Sequence, residues 1–399
     1  MDRAFEVVVR FERGRVLALL ADDDAADDDF AAAARIARLI GSDALAGRAI
    51  AGRAAIARAA GRLEAAGSLA GEAVAVTAIA GLDFDPVSRS EALLELGLSQ
   101  LEHDVASAVA NLDDAVTTAE TGAPGRERDG ALALALDGRA NAHRVAGDFA
   151  AARDDLRWAL RLARGAFGRE SVEVAQIRND DGVVSKFAGD FDAAETAYRE
   201  ALVILERVLG PDHPEMAAVL HNVAGLAHAR GRFAEAEEPA RRSIEVRERA
   251  LGPDHMAVAL DRAGLAAILD RLGRPDEAEA LLEQVLPVLR STLGPRHREV
   301  SVTLNNLAAI AQARGDLGEA ERLYRESLAI KAETIGESSP SVGITLNNLA
   351  TVLRRRGQLD SADSTYERAI AVLEASVAPD HPALIAARSN LAAVRSRRR

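Results

Sequence analysis

An all-α solenoid of antiparallel helix hairpins is predicted by three features of the 399-residue sequence. Glycines recur at a strict spacing of 42, as Gly147, Gly189, Gly231, Gly273, Gly315 and Gly357. After each glycine, small and large apolar residues alternate at spacings of four and three, the signature of one helix face. The composition agrees, because 48% of residues are hydrophobic and only 3% aromatic, a balance that suits helices packed closely through Ala and Leu better than strands. A chain of this length exceeds one ordinary core, so a fixed period is read as a stack of repeats.

Each repeat divides into two helices. Five residues after every turn glycine stands an alanine: Ala152, Ala194, Ala236, Ala278, Ala320 and Ala362. Four further on come Leu156, Tyr198, Ala240, Leu282, Tyr324 and Tyr366, and three beyond those Ala159, Ala201, Ser243, Val285, Ser327 and Ala369. This face belongs to helix B of a hairpin. Helix A precedes the glycine and is clearest in Leu304-Asn305-Asn306-Leu307-Ala308 and Leu346-Asn347-Asn348-Leu349-Ala350. The glycine supplies the left-handed conformation of the tight A–B turn. Successive units are joined by Leu209-Gly210-Pro211-Asp212-His213-Pro214 and its copies at Leu251 and Leu293. There Gly ends helix B, Pro prevents its continuation, and Asp or a nearby polar residue is expected to cap the next helix. Pro239 and Pro287 fall inside predicted B helices, where each is expected to bend or break the helix.

A period near 42 is shared with HEAT and armadillo repeats, so the motif decides. The Gly-x-Phe/Leu turn, the Ala-x-x-x-Tyr/Leu helix, the Leu-Gly-Pro-Asp-His-Pro loop and the Asn-Asn-Leu-Ala helix resemble the tetratricopeptide repeat of the kinesin-light-chain type, which is widespread in bacterial scaffolds and regulators. The resemblance covers roughly residues 126 to 399 and implies a right-handed superhelix with helices A lining its concave face. The sequence accordingly divides into degenerate helical hairpins over 1–125, six regular units over 126–381, and a capping helix with a basic tail over 382–399. Traces of helix B in the first third are Asp104-Val105 with Ala108, Leu112 and Ala115, and Gly61-Arg62-Leu63 with Ala66, Ala70 and Ala73. In all, about nine hairpins and a final solitary helix are expected. The segment Gly122–Glu127 is the expected break if the first third is a separate domain.

The resemblance also implies which residues face a ligand, namely those ten, nine, six and three before each turn glycine. They include Asn179, His221, Asn305 and Asn347, then Asn222, Asn306 and Asn348, then Asn141, and then Arg144, Lys186, His228, Asp270, Gln312 and Arg354; Asn390 continues the series in the last helix. An asparagine amide donates and accepts, so a ladder of them can hold an extended backbone whatever its side chains. The same amides can instead bond neighbouring helices and stabilise the stack, and both readings stand. The family's carboxylate clamp wants Lys at the first helix A position, where this chain has Asp137, Asn179, His221 and Asn305, so that clamp is incomplete.

The expected function is a scaffold or adaptor that binds a peptide or protein segment in the concave groove. The alternatives are a regulatory or sensing subunit of a signalling or defence system, partnered with a caspase-like protease or nucleotide-driven protein on another chain, and an autonomous enzyme. No phosphate-binding loop, nucleophile elbow or dinucleotide turn occurs, so no catalytic residue and no cofactor is assigned. The chain has no cysteine, and four of its eight histidines, His213, His255, His297 and His381, sit in different inter-repeat loops, where they read as caps and not as metal ligands. A net charge of -13 argues against a general affinity for nucleic acid or anionic lipid, and the absence of a long apolar run or signal peptide points to the cytoplasm. The acidic run Asp22–Asp29 reads as a solvated loop, and Arg395–Arg399 as a frayed basic end.

Overall fold

The computed structural model describes residues 3–78 and 84–396, which form nineteen α-helices and no strand. They are α1 (Arg3–Leu19), α2 (Asp23–Leu39), α3 (Asp43–Ala59), α4 (Leu63–Thr77), α5 (Pro86–Gln100), α6 (Val105–Glu120), α7 (Arg126–Ala146), α8 (Phe149–Ala166), α9 (Val172–Phe187), α10 (Phe191–Leu209), α11 (Pro214–Ala229), α12 (Phe233–Leu251), α13 (Met256–Arg271), α14 (Pro275–Leu293), α15 (Arg298–Arg314), α16 (Leu317–Ile335), α17 (Pro340–Arg355), α18 (Leu359–Ser376) and α19 (Pro382–Ser396). In chain order these are nine A/B pairs followed by α19 alone. Two compact units result, Met1–Leu226 and Ala227–Arg399. Of the basic tail, Arg397, Arg398 and Arg399 lie outside the described residues, whereas Arg395 bonds to Asp363 at 2.9 Å.

The turns follow from two residues. All six turn glycines have positive φ, from 74° at Gly231 to 93° at Gly315, a region that a Cβ makes costly. Where Asp follows the glycine, its carboxylate accepts from the backbone N–H three residues on: Asp148 from Ala151, Asp190 from Ala193 and Asp316 from Glu319. The inter-repeat loops are capped by the histidines that the sequence reads as caps. The histidine and not the aspartate is the cap, its Nδ1 accepting from the second N–H beyond it in His213, His255, His297 and His381, at 3.1–3.2 Å. Its ring reaches the donor because it stands directly before the first helical turn, one residue past the position of the aspartate.

Helix B packs through its small residues. The alanine five residues after the glycine is wholly buried in all six units, and so is the small residue seven further on. Tyr198, Tyr324 and Tyr366 fill the space between them and are themselves 0–1% exposed. The same face occurs earlier, with Ala66, Ala70 and Ala73 in α4 and Ala108, Leu112 and Ala115 in α6 all fully enclosed. In the first unit one cluster runs from Leu93 and Leu112 through Leu132 and Leu136 to Ile177, across the Gly122–Glu127 turn. In the second, Val342, Leu346 and Ala369 and then Leu373, Leu384 and Ala387 carry the core to α19.

One expectation needs correction. The acidic run is not a loop: Asp22 caps α2, Asp23–Asp29 form its first two turns, and Asp29 is buried against Arg10 and Arg13 of α1. Carboxylates in a first turn oppose the helix dipole favourably, which is why so dense a run folds as helix. Neither Pro239 nor Pro287 breaks its helix, for α12 and α14 each continue as one element past the proline.

The closeness of the A–B contact can be measured. A Cβ on Gly182 of α9 would stand 2.4 Å from Tyr198, whereas one on Gly71 of α4 would meet nothing. Gly182→Ala should therefore destabilise the first unit by about 1–3 kcal/mol through overpacking, and Gly71→Ala should stabilise it by up to about 1 kcal/mol through helix propensity. Guanidinium unfolding followed by the sole tryptophan, Trp158, which packs against the first unit's core, reads both.

Candidate functional site

The inner space of the first unit is lined mainly by the odd-numbered helices. One cavity of about 700 Å³ lies between α1, α3, α5 and α7, walled by Phe11, Phe30, Ile56, Leu94 and Leu134. It shares Arg58, Leu94, Glu95, Leu134 and Glu215 with a cleft of about 330 Å³ that extends to Asp137 and Asn141 of α7 and to Asn179 and Asp180 of α9. Asn141, Asn179 and Asp180 in turn line a smaller cavity of about 210 Å³ with Arg144, Val183 and Asn222. The three, linked by shared lining residues, make up the inner cleft. Leu19, in the wall of the first cavity, takes part in a contact that no sequence pattern announces: its backbone carbonyl meets the ring of His213, in the α10–α11 loop, at 2.7 Å.

Of the sequence-predicted residues, Asn141, Arg144, Asn179 and Asn222 line this cleft. Asn222 donates to Asn179 at 2.8 Å, across successive A helices, and Asn179 donates to Asp180 at 3.0 Å. Lys186 and His221 stand on the same two helices, Lys186 half-buried beside Arg144 and Phe187, and His221 exposed. Burial lowers the Lys186 ammonium below its ordinary range, helped by the charge of Arg144. Arg144 donates to Asn141 at 2.6 Å.

Reasoning from the sequence missed Asp180. Burial raises its carboxyl to about 6 despite the donor from Asn179 and the nearby charge of Arg144. Burial also raises Asp137 well above the usual carboxylate range, and the like charge of Asp180 adds to it. Asp137 Oδ1 is enclosed yet accepts no hydrogen bond, and the buried hydroxyl of Tyr198 is likewise unpaired. The signal was present: Asp137 stands in the tenth and Asp180 in the ninth position before the turn glycine, rows in which three other repeats each carry Asn.

The remaining predicted residues lie in the second unit. Asn390 donates to Asn347 at 3.1 Å, and Asn347 faces Asn348. Asn305 accepts from Thr345, whose hydroxyl also accepts from Lys331, at 3.1 and 2.8 Å. Asn306 is half-buried. His228 stacks edge-on against Phe233, which also carries Arg271, and burial together with that arginine lowers its imidazole. Gln312 Oε1 and Arg354 Nε are buried without a hydrogen bond. The largest cleft described in this unit, about 830 Å³ between α16, α17 and α18, includes none of these residues. Among the described residues, no three His, Cys, Asp or Glu side chains come together as a metal site, and no helix is long and apolar enough to cross a membrane.

A model of the tetratricopeptide repeat matches residues 173–249, 240–291, 257–333 and 341–399, more than half of the chain. No curated protein matches it. Among solved structures, a Rap protein complexed with competence and sporulation factor aligns with a TM-score of 0.54 at 13% identity, covering 89% of this chain and 98% of that one. The signal-transduction ATPase with a tetratricopeptide repeat sensor from Pyrococcus horikoshii gives 0.60 at 11%, over 83% of this chain and 50% of that one. A putative kinesin light chain repeat protein of Podosopora anserina gives 0.43 at 23%, over 50% and 94%.

The raised carboxyls have a consequence for stability. A carboxyl whose folded pKa exceeds its unfolded value holds a proton longer in the native state, so the stability it confers is full below the unfolded pKa near 4 and is lost as pH rises through about 6. Asp180→Asn removes this dependence. Relative to the wild type, the variant should gain stability between pH 4.5 and 7 in denaturant titrations followed by Trp158, and a difference that stays flat over this range would contradict the burial of Asp180.

Proposed function

Because the chain belongs to the tetratricopeptide repeat family, we propose that it is an interaction module that holds an extended protein segment in the inner cleft of its first unit. One observation carries the reading: cavities linked by shared residues follow one another along the A helices, with apolar residues Leu94, Leu98 and Leu134 and the amides of Asn141, Asn179 and Asn222 in their lining. Apolar walls take side chains, while amides with spare donors and acceptors take backbone, the division of labour that sequence-tolerant segment binding requires. Asn222 spends one donor on Asn179, and its second donor and its carbonyl remain for a ligand. A Rap protein of this fold is known in complex with a factor, which supports a cleft of this kind as a holding site. An adaptor or sensing role follows, with any catalytic step carried by another chain.

Selection of a random peptide library against the full chain tests this. Enriched peptides should lose at least about tenfold in affinity, two lost hydrogen bonds' worth, when Asn179 and Asn222 are both changed to Ala in a chain that keeps its helical circular dichroism. Changing Asn305, Asn306, Asn347 and Asn348 to Ala in the second unit should leave the same peptides bound. Peptides indifferent to the first pair would overturn the proposal.

A further inference from the structure

The inner cleft contains an unbalanced charge. In the part of about 330 Å³ the walls carry Glu95, Asp137, Asp180 and Glu215 against Arg58, with Arg144 beyond them in the adjoining cavity. Arg58 is already committed, donating twice to Glu95 at 2.9 and 3.3 Å. Glu215 accepts from Gln176 at 3.2 Å, and Asp180 is served by Asn179. Asp137 is left with an enclosed oxygen that accepts nothing, and the charge acting on it is that of Asp180, of the same sign. Two neighbouring buried carboxylates with only the charge of Arg144 near Asp180 to offset them cost stability, and an asparagine of the same shape avoids that cost. The chain uses asparagine at the equivalent places elsewhere, with Asn179, Asn305 and Asn347 in the row of Asp137, and Asn222, Asn306 and Asn348 in the row of Asp180. The two rows change to aspartate on neighbouring helices, in one cleft.

We infer that this part of the cleft is a socket for the basic side chain, Arg or Lys, of the bound segment, with Asp137 as its principal acceptor. The inference rests on the segment-binding reading above and specifies it. The approach to Asp137 is sheathed by Leu94, Leu98, Leu134 and Val219, which suit the methylene stem of a long basic residue, while the charged head meets the carboxylates at the end. A metal ion is a poorer fit, since among the described residues no third ligand joins the pair. The amides of Asn141, Asn179 and Asn222 continue from the socket into the adjoining cavity, so the basic residue would be one side chain of a segment whose backbone lies across them.

The peptide selection can separate this inference from its premise. Peptides enriched on the wild-type chain should share an Arg or Lys, and the same selection on Asp137→Asn should lose that preference. Replacing the shared arginine of a selected peptide by citrulline, which keeps the shape and removes the charge, should weaken binding to the wild type by about tenfold to a hundredfold and change binding to Asp137→Asn by less than threefold. Asp180→Asn serves as the second variant, with an effect in the same direction. Circular dichroism and Trp158 fluorescence confirm that both variants fold. If enriched peptides depend on Asn179 and Asn222 but carry no basic residue, or if citrulline weakens binding to wild type and Asp137→Asn equally, the socket is wrong and the cleft stands. If no enriched peptide depends on Asn179 and Asn222, the cleft reading fails and the socket with it.

Discussion

Everything in this protein depends on how closely helix B can approach helix A. The alanine five residues past each turn glycine is wholly enclosed in all six regular units, which leaves no room there for even one further methylene. On helix A the matching surface is as tight, and in α9 it is a glycine whose missing Cβ is the space that Tyr198 occupies. Because the small–large–small series repeats at 42 without insertion, each B helix presents the same surface to its neighbours. Large side chains confined to one row and small ones to the flanking rows direct the A helices of the first unit to a common inner face, and so create the cleft.

That inner face is polar, and the asparagine contacts show how a stack tolerates it. Asn179–Asn222 and Asn347–Asn390 are bonds between residues 43 apart, one repeat and one residue. Each bond satisfies one donor and one acceptor and leaves the rest of both amides uncommitted. The two roles considered for these residues, stabilising the stack and holding a ligand, are therefore compatible within one side chain. A serine or an alanine in their place could do neither across the same distance.

The helices were legible because their determinants are local. A turn glycine, the Asp that follows it and the pattern of small residues lie within a dozen residues of one another, and the early hairpins could be read from fragments of the same pattern at Ala66–Ala73 and Ala108–Ala115. The inner cleft was legible only in part. Asn141, Arg144, Asn179 and Asn222 follow from position within the repeat, but the meeting of Arg58, Glu95 and Glu215 joins residues on α3, α5 and α11, and depends on curvature accumulated over several repeats. No local pattern encodes that sum. The acidic run was misread because charge density was weighed above helix-terminal electrostatics. The second half of the ion-pair arrangement, with Asp29 buried, lay in Arg10 and Arg13 of the preceding helix.

The distribution of satisfied and unsatisfied polar groups is the strongest sign of which face matters. On the B helices, arginines pair with acids about one repeat away, as Arg153 with Asp190, Arg207 with Glu170, and Arg274 with Glu237. Such exposed pairs contribute little to stability individually. Arg128, Asp129 and Arg178 also carry enclosed atoms without hydrogen bonds, but each of these residues is ion-paired. The other buried side-chain atoms without hydrogen bonds among the described residues are Asp137 Oδ1, Tyr198 Oη, Gln312 Oε1 and Arg354 Nε. Asp137, Gln312 and Arg354 occupy the helix A rows assigned to ligand contact, and Tyr198 reaches helix A across the tightest packing of its repeat. Buried polar groups ordinarily find partners, so Asp137 is where, on the reading proposed above, a bound segment would supply one.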